Sequence, residues 1–218
     1  MSFIRKLLDF LYPPKCAFCR KLVPADADGI CPECKKSLPF TKSGDQVHGN
    51  FFTVCVAPLY YEDEVRDALL RYKFHQQASY CTAFGGLIAD CVSERLTEPI
   101  DLVSWVPLSR KRLRKRGYDQ AKLLAEEVAK QLDLPCRPVL KKVVNTAPQS
   151  RTGSAEKRKA NISGAYIVPE NQNLEDLTIL LIDDIVTTGS TLSECSRMLG
   201  MAGVKRVYCA AAAQKHRE

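Results

Sequence analysis

Leu180-Leu181-Ile182-Asp183-Asp184-Ile185-Val186-Thr187-Thr188-Gly189-Ser190-Thr191-Leu192 decides how the chain is read. Residues 179–182 form an apolar, branched run too short for an ordinary helix, which predicts a buried strand of a parallel sheet. Asp183 and Asp184 close that strand. Thr187, Thr188, Gly189, Ser190 and Thr191 then make a tight turn, and the spacing of Leu192, Cys195 and Leu199 predicts an amphipathic helix starting there. A loop of backbone N–H groups at a helix start attracts an anion, Gly189 lets the chain approach it, and the flanking hydroxyls donate further hydrogen bonds. The two carboxylates cannot hold that anion. They can accept hydrogen bonds from vicinal sugar hydroxyls one sugar-length away, so the stretch predicts a ribose 5-phosphate site. An acidic turn that merely caps a helix is the plainer alternative, but it leaves the order of apolar run, paired acids and hydroxyl loop unexplained. No Lys follows Gly189, which excludes the Walker phosphate loop.

The chain has 218 residues, enough for a full core and a small appendage. Its 45% hydrophobic and 26% charged content is that of an ordinary globular protein. A net charge of +7 favours polyanionic partners without separating nucleic acid from a phosphorylated small molecule. No apolar run reaches the ~18 residues of a membrane span. Residues 3–11 carry charge through their middle and lack a small-residue cleavage site, so a short amphipathic helix is expected there rather than an export signal, and the location expected is cytoplasmic. Ten cysteines in such a chain fit a reducing cytosol, with some of them as metal ligands. Cys16 with Cys19 and Cys31 with Cys34 form two C-x-x-C pairs separated by eleven residues. Four thiolates so placed suit tetrahedral, structural Zn2+; redox-active thiols or disulfides are the alternatives. The other cysteines read as small buried hydrophobes, and the three histidines as surface or satisfied core residues.

Residues 35–50 read as a linker and 52–60 as a strand. A helix is expected over 62–73, with Val65, Ala68, Leu69 and Tyr72 on one face and Arg66, Arg71 and Lys73 outside it, and another over 78–96. From residue 100 the pattern is α/β: a strand at 102–106, a helix at 119–132, and strands at 137–144, 165–168, 178–183 and 204–212. Arg110-Lys111-Arg112-Leu113-Arg114-Lys115-Arg116 holds six cations in seven residues. It leaves the carboxyl end of a parallel strand, where open α/β sheets bind ligands, so it faces the same crevice as the acid pair. Ser109, Arg110, Arg112 and Arg116 are candidates for a pyrophosphate clamp, for a nucleic-acid contact, or for both; one or two cations satisfy a pyrophosphate, and the surplus suggests further phosphates. Tyr118 either stacks a base or packs. The polar, basic segment 145–162 reads as a lid or a disordered tract. The expected division is an N-terminal helix and four-cysteine finger over 1–45, followed by the α/β domain over 50–218.

The thirteen-residue stretch resembles the phosphoribosyl pyrophosphate (PRPP) signature of type I phosphoribosyltransferases. With the paired cysteine knuckles before it and the basic segment in the middle, the chain resembles the ComF family of competence proteins over nearly its whole length. The resemblance implies a type I phosphoribosyltransferase-like parallel sheet flanked by helices, behind a small zinc finger. It implies PRPP with Mg2+ as ligand, Asp183 and Asp184 holding the ribose diol, and Thr187, Thr188, Gly189, Ser190 and Thr191 holding the 5-phosphate. Tyr72-Lys73-Phe74 is similar to the family's Lys-Phe motif, and Gln149, Arg158 and Asn161 to its lid motif, although the lid here lacks an expected apolar residue and is slightly longer. DNA uptake and natural transformation are the implied role, with single-stranded DNA and a competence helicase or other DNA-uptake protein as implied partners. The alternative is an active phosphoribosyltransferase of nucleotide salvage or synthesis. No residue stands out as a general base, and turnover stays open.

Overall fold

The computed structural model describes residues 13–24, 27–143 and 164–216. Strands β1 (Cys55–Val56), β2 (Leu59–Tyr60), β3 (Leu102–Trp105), β6 (Thr178–Val186) and β7 (Arg206–Gln214) form a five-stranded sheet in which every pairing is parallel, ordered β1-β7-β6-β3 with β2 also on β7. The two long central strands carry unbroken apolar runs because both of their faces are covered. On one face, Leu180, Ile182, Ala210 and Ala212 pack with helices α2 (Asp63–Phe74), α3 (Tyr80–Arg95) and α5 (Gln120–Leu132). On the other, Ile179, Leu181, Cys209 and Ala211 pack with α6 (Ser190–Met201) and with the hairpin of β4 (Lys141–Lys142) and β5 (Tyr166–Ile167). Alternate residues of one strand therefore serve alternate layers, as the pleat requires. Where α3 crosses α5, a Cβ on Gly85 would stand 2.7 Å from Glu127 Cβ, so the glycine sets how closely the two helices approach.

Four expectations from the sequence need correction. The acids do not end the central strand, since β6 continues to Val186 in unbroken register with Gln214 of β7. Residues 52–60 form two short strands rather than one, because Pro58 has no N–H to give the ladder. Among the described residues the 137–144 strand shrinks to Lys141–Lys142, which pairs antiparallel with β5; ahead of it the chain meets the sheet at a parallel bridge of Cys136 with Val103, and Pro135 and Pro138 keep that bridge from growing into a strand. The 35–50 linker is a pinned segment. It begins inside helix α1 (Pro32–Ser37), bridges the sheet edge at Phe40 with Leu59 and Val47 with Cys55, and is held by Arg95 on Thr41 and Lys42 and by Gln214 on the Asp45 carbonyl. The basic run, left unassigned by its composition, is helix α4 (Arg110–Arg116), capped by the Ser109 hydroxyl and closed by Gly117 in the left-handed region, φ 84°. The expected N-terminal helix at 3–11 and the lid at 145–162, with Gln149, Arg158 and Asn161, lie outside the described residues.

Candidate functional site

Alternation along β6 turns its two carboxylates to opposite faces. Asp184 meets α2, where Lys73 Nζ stands 2.9 Å from Asp184 Oδ2 with 15% and 17% of the two side chains exposed. Asp183 lies on the side of Tyr166, Lys142 and Cys195, whose titration it perturbs. Burial, followed by the neighbouring Asp184 charge, pushes the Asp183 carboxyl up to about 7, against the Asp184 N–H donated to Asp183 Oδ1 at 2.8 Å and the Lys73 charge. Near neutral pH this carboxyl is poised between its two forms, and a cation or a hydrogen-bond donor arriving at the crevice would favour the ionised one.

Beyond β6, Thr188 is exposed, Thr187, Ser190 and Thr191 are half-buried, and Gly189 is buried. Gly189 takes φ 71° at the N-cap of α6, a conformation few L-residues adopt, and Phe52 and Val47 pack behind its Cα. The Thr188 and Ser190 hydroxyls lie 2.9 Å apart, and the Ser190 N–H points at Thr188 Oγ1 at 3.4 Å. Backbone and hydroxyl donors are thus gathered at the start of a twelve-residue helix, where the dipole favours an anion.

The basic segment splits by helical spacing. Arg112 and Arg116, four residues apart, are half-buried, whereas Arg110, Lys111, Arg114 and Lys115 are exposed. Burial and then the Arg116 charge lower the Arg112 pKa, while Tyr166 and Asp184 act the other way. Arg116 donates to Gln120 Oε1 at 2.8 Å and lies over the Phe74 ring, 5.1 Å from its centroid. Asp119 caps α5, accepting from the N–H groups of Lys122 at 3.3 Å and Leu108 at 3.0 Å. Tyr118 packs: its hydroxyl donates to the Tyr72 carbonyl, and the Tyr72 hydroxyl donates to the Gln120 carbonyl at 2.8 Å. These bonds lock the Tyr72-Lys73-Phe74 turn to the segment after the basic helix, and so fix Lys73 against Asp184.

Lys142 and Tyr166 carry no pattern that marks them in the sequence. The β4–β5 pairing sets them opposite each other, with Lys142 Nζ 2.9 Å from the Tyr166 hydroxyl. Burial, then the Arg112 charge, brings the Lys142 amine down to about 8, with Cys195 and Asp183 opposing. Lys73 thus accompanies Asp184 on one face of the strand and Lys142 lies on the Asp183 side, with the Arg112 charge acting on Lys142 and answered by Asp184; cations about both carboxylates suit a ligand carrying several phosphates and a sugar. A divalent cation could be held by such a ligand's phosphates together with the two carboxylates.

At the other end of the described chain, the Sγ atoms of Cys16, Cys19, Cys31 and Cys34 all lie within 4.8 Å of one another. A tetrahedron of ~2.3 Å Zn–S bonds has edges of about 3.8 Å, and Cys19 Sγ is 3.6 Å from Cys31 Sγ. Burial opposes ionisation of Cys16, but N–H groups of Cys31, Cys19 and Phe18 bring it down to about 7; burial and its three sulfur neighbours push Cys34 up. A dication relieves that crowding, so the four cysteines fit structural zinc. Arg71 of α2 donates to the carbonyls of Ala17 at 3.0 Å and Phe18 at 2.8 Å, and Phe18 packs edge-on against Phe84 of α3. The knuckle is thereby fastened to two of the three helices that cover one face of the sheet.

Residues 119–218 match the family described as Phosphoribosyl transferase domain, and residues 7–50 match the Double zinc ribbon domain. Competence protein F of Haemophilus influenzae is 28% identical over 215 residues, covering 88% of this chain and 93% of the relative. Competence protein ComFC of Bacillus subtilis is 32% identical over 140 residues, covering 64% of this chain and 55% of the relative, so the match spans about half of its length. The DNA utilization protein YhgH of Escherichia coli is 26% identical, covering 89% of this chain and 88% of the relative. Among solved structures, the glutamine PRPP amidotransferase of B. subtilis is 17% identical, with 66% of this chain and 30% of that one covered and a TM-score of 0.45. The adenine phosphoribosyltransferase of Thermoanaerobacter pseudethanolicus is 14% identical, with 66% and 84% covered and a TM-score of 0.39. No helix among the described residues is long and apolar enough to cross a membrane.

Proposed function

We propose that this ComFC-like protein, with its zinc ribbon and phosphoribosyl transferase domain, binds PRPP or a related ribose phosphate with Mg2+ and serves DNA uptake in natural transformation by handling single-stranded DNA. In this reading Asp183 and Asp184 take the sugar and its cation, and Thr187, Thr188, Gly189, Ser190 and Thr191 take the 5-phosphate. Arg112, with Ser109 at the cap of its helix, faces the pyrophosphate, and the outward cations Arg110 and Arg114 meet the DNA backbone. The division into a finger over 1–45 and a ligand-binding domain over 50–218 belongs to the same proposal, as do the lid role of Gln149, Arg158 and Asn161 and a cytoplasmic location. The names of the relatives support the setting. What carries the proposal is that one helix half-buries two cations, Arg112 and Arg116, the second over the Phe74 ring, and leaves the rest exposed, which serves a small polyphosphate and a polymer at once.

The alternative, a transferase releasing pyrophosphate from the ribose C1, is favoured by the half-buried Lys142 amine, on which the Arg112 charge acts, since positioning and charge neutralisation are what that departure needs. Titrating Mg2+–PRPP and a single-stranded oligonucleotide separately and together tests the proposal. Both should bind, and DNA affinity should fall steeply with salt while PRPP affinity does so less. Absence of PRPP binding would contradict the first half and absence of DNA binding the second; release of pyrophosphate with a nucleobase present would favour the transferase.

A further inference from the structure

Phe74 ends α2 at a position where an aromatic side chain has no packing reason to be. The buried stripe of that helix is Val65, Ala68, Leu69 and Tyr72, and Phe74 lies about 200° around from Tyr72, with 57% of its surface exposed. Its backbone is nevertheless fixed. Lys73, one residue before it, is held by Asp184, and the Tyr72 carbonyl is held by Tyr118. The ring is held too, because the Arg116 guanidinium over it is anchored on Gln120. A rigid, exposed aromatic with a cation beside it, next to the Lys73–Asp184 pair and to a helix of solvated cations, is the arrangement on which unpaired bases stack while the backbone follows the charges. Resting on the nucleic-acid half of the proposed function, we infer that Phe74 is a stacking platform for a base of single-stranded DNA whose phosphates run along the Arg110–Arg116 helix. A free nucleobase would gain the same ring but nothing from the exposed cations, so their number favours the polymer.

The test compares a fluorescent twenty-residue oligothymidine with an abasic oligomer of equal length, by anisotropy, on the native zinc-loaded protein and on Phe74→Leu and Phe74→Trp. Phe74→Leu should weaken oligothymidine binding roughly tenfold, the effect of losing one stacked base, and leave the abasic oligomer within twofold. Phe74→Trp should restore native affinity, and Mg2+–PRPP affinity should stay within twofold throughout. Unchanged oligothymidine affinity in Phe74→Leu, or an equal loss on both oligomers, would overturn the stacking role while leaving the DNA reading intact. Failure of the native protein to bind either oligomer would overturn both. Binding of free thymine or adenine that disappears with Phe74→Leu, with oligothymidine unaffected, would reassign the ring to an acceptor base.

Discussion

At Asp183 a single carboxyl couples the fold to pH. Its native pKa of about 7 stands above the ~3.9 of an unfolded Asp. Between roughly pH 4 and 7 the native state therefore holds a proton that the unfolded chain has released, so this residue's contribution favours folding at the acid end and is lost as pH rises through 7. Asp183→Asn removes the penalty of burying the charge. Urea unfolding should find the variant about 2–4 kcal/mol more stable than the native protein at pH 8 and nearly equal to it at pH 4.5; an equal difference at both pH values would contradict the cause assigned. The residue itself was legible in the sequence, as one of two acids after an apolar run. Its divergence from Asp184 was not, because that depends on the strand continuing past both. Lys142 was invisible for a related reason: nothing around it in the chain announces that β5 will place Tyr166 against it.

The elements differ in how much of their structure is local. The strand β6 and the helices α2, α3, α5 and α6 follow from periodicity, since each buries a stripe or a run of its own residues. The segment over 35–50 does not, because its partners are distant: Gln214 reaches the Asp45 carbonyl from 169 residues away. The zinc knuckle combines both kinds of information. Its cysteine spacing is local, but its attachment to α2 rests on Arg71, which the sequence marked simply as lying off the apolar face. Hydrogen bonds from a charged donor are each worth about 1.5–3 kcal/mol, and Arg71 gives two to the carbonyls of the first knuckle. Arg71→Ala should cost about 3–6 kcal/mol and release zinc to a chromogenic chelator several-fold faster, with Arg71→Lys recovering part of both. Release at the native rate would show that the knuckle holds itself together.

Over the whole molecule, the zinc ribbon and the proposed ribose-phosphate site share α2. Arg71 faces the knuckle, Tyr72 fills the core, Lys73 meets Asp184, and Phe74 reaches solvent beside the basic helix. Four consecutive residues thus connect the four-cysteine site, the core, the proposed sugar site and the proposed DNA surface, which gives a physical reason for one chain to carry both parts. Every proposed role depends on the acid pair at the carboxyl half of β6 receiving a phosphorylated pentose. Calorimetric titration of Mg2+–PRPP into the Asp183→Asn, Asp184→Asn double variant, alongside the native protein and with zinc content and unfolding temperature checked in the same samples, tests that dependence most directly. The account predicts a folded, zinc-loaded variant whose affinity is at least a hundredfold weaker. A folded variant that binds within threefold of the native protein would contradict it.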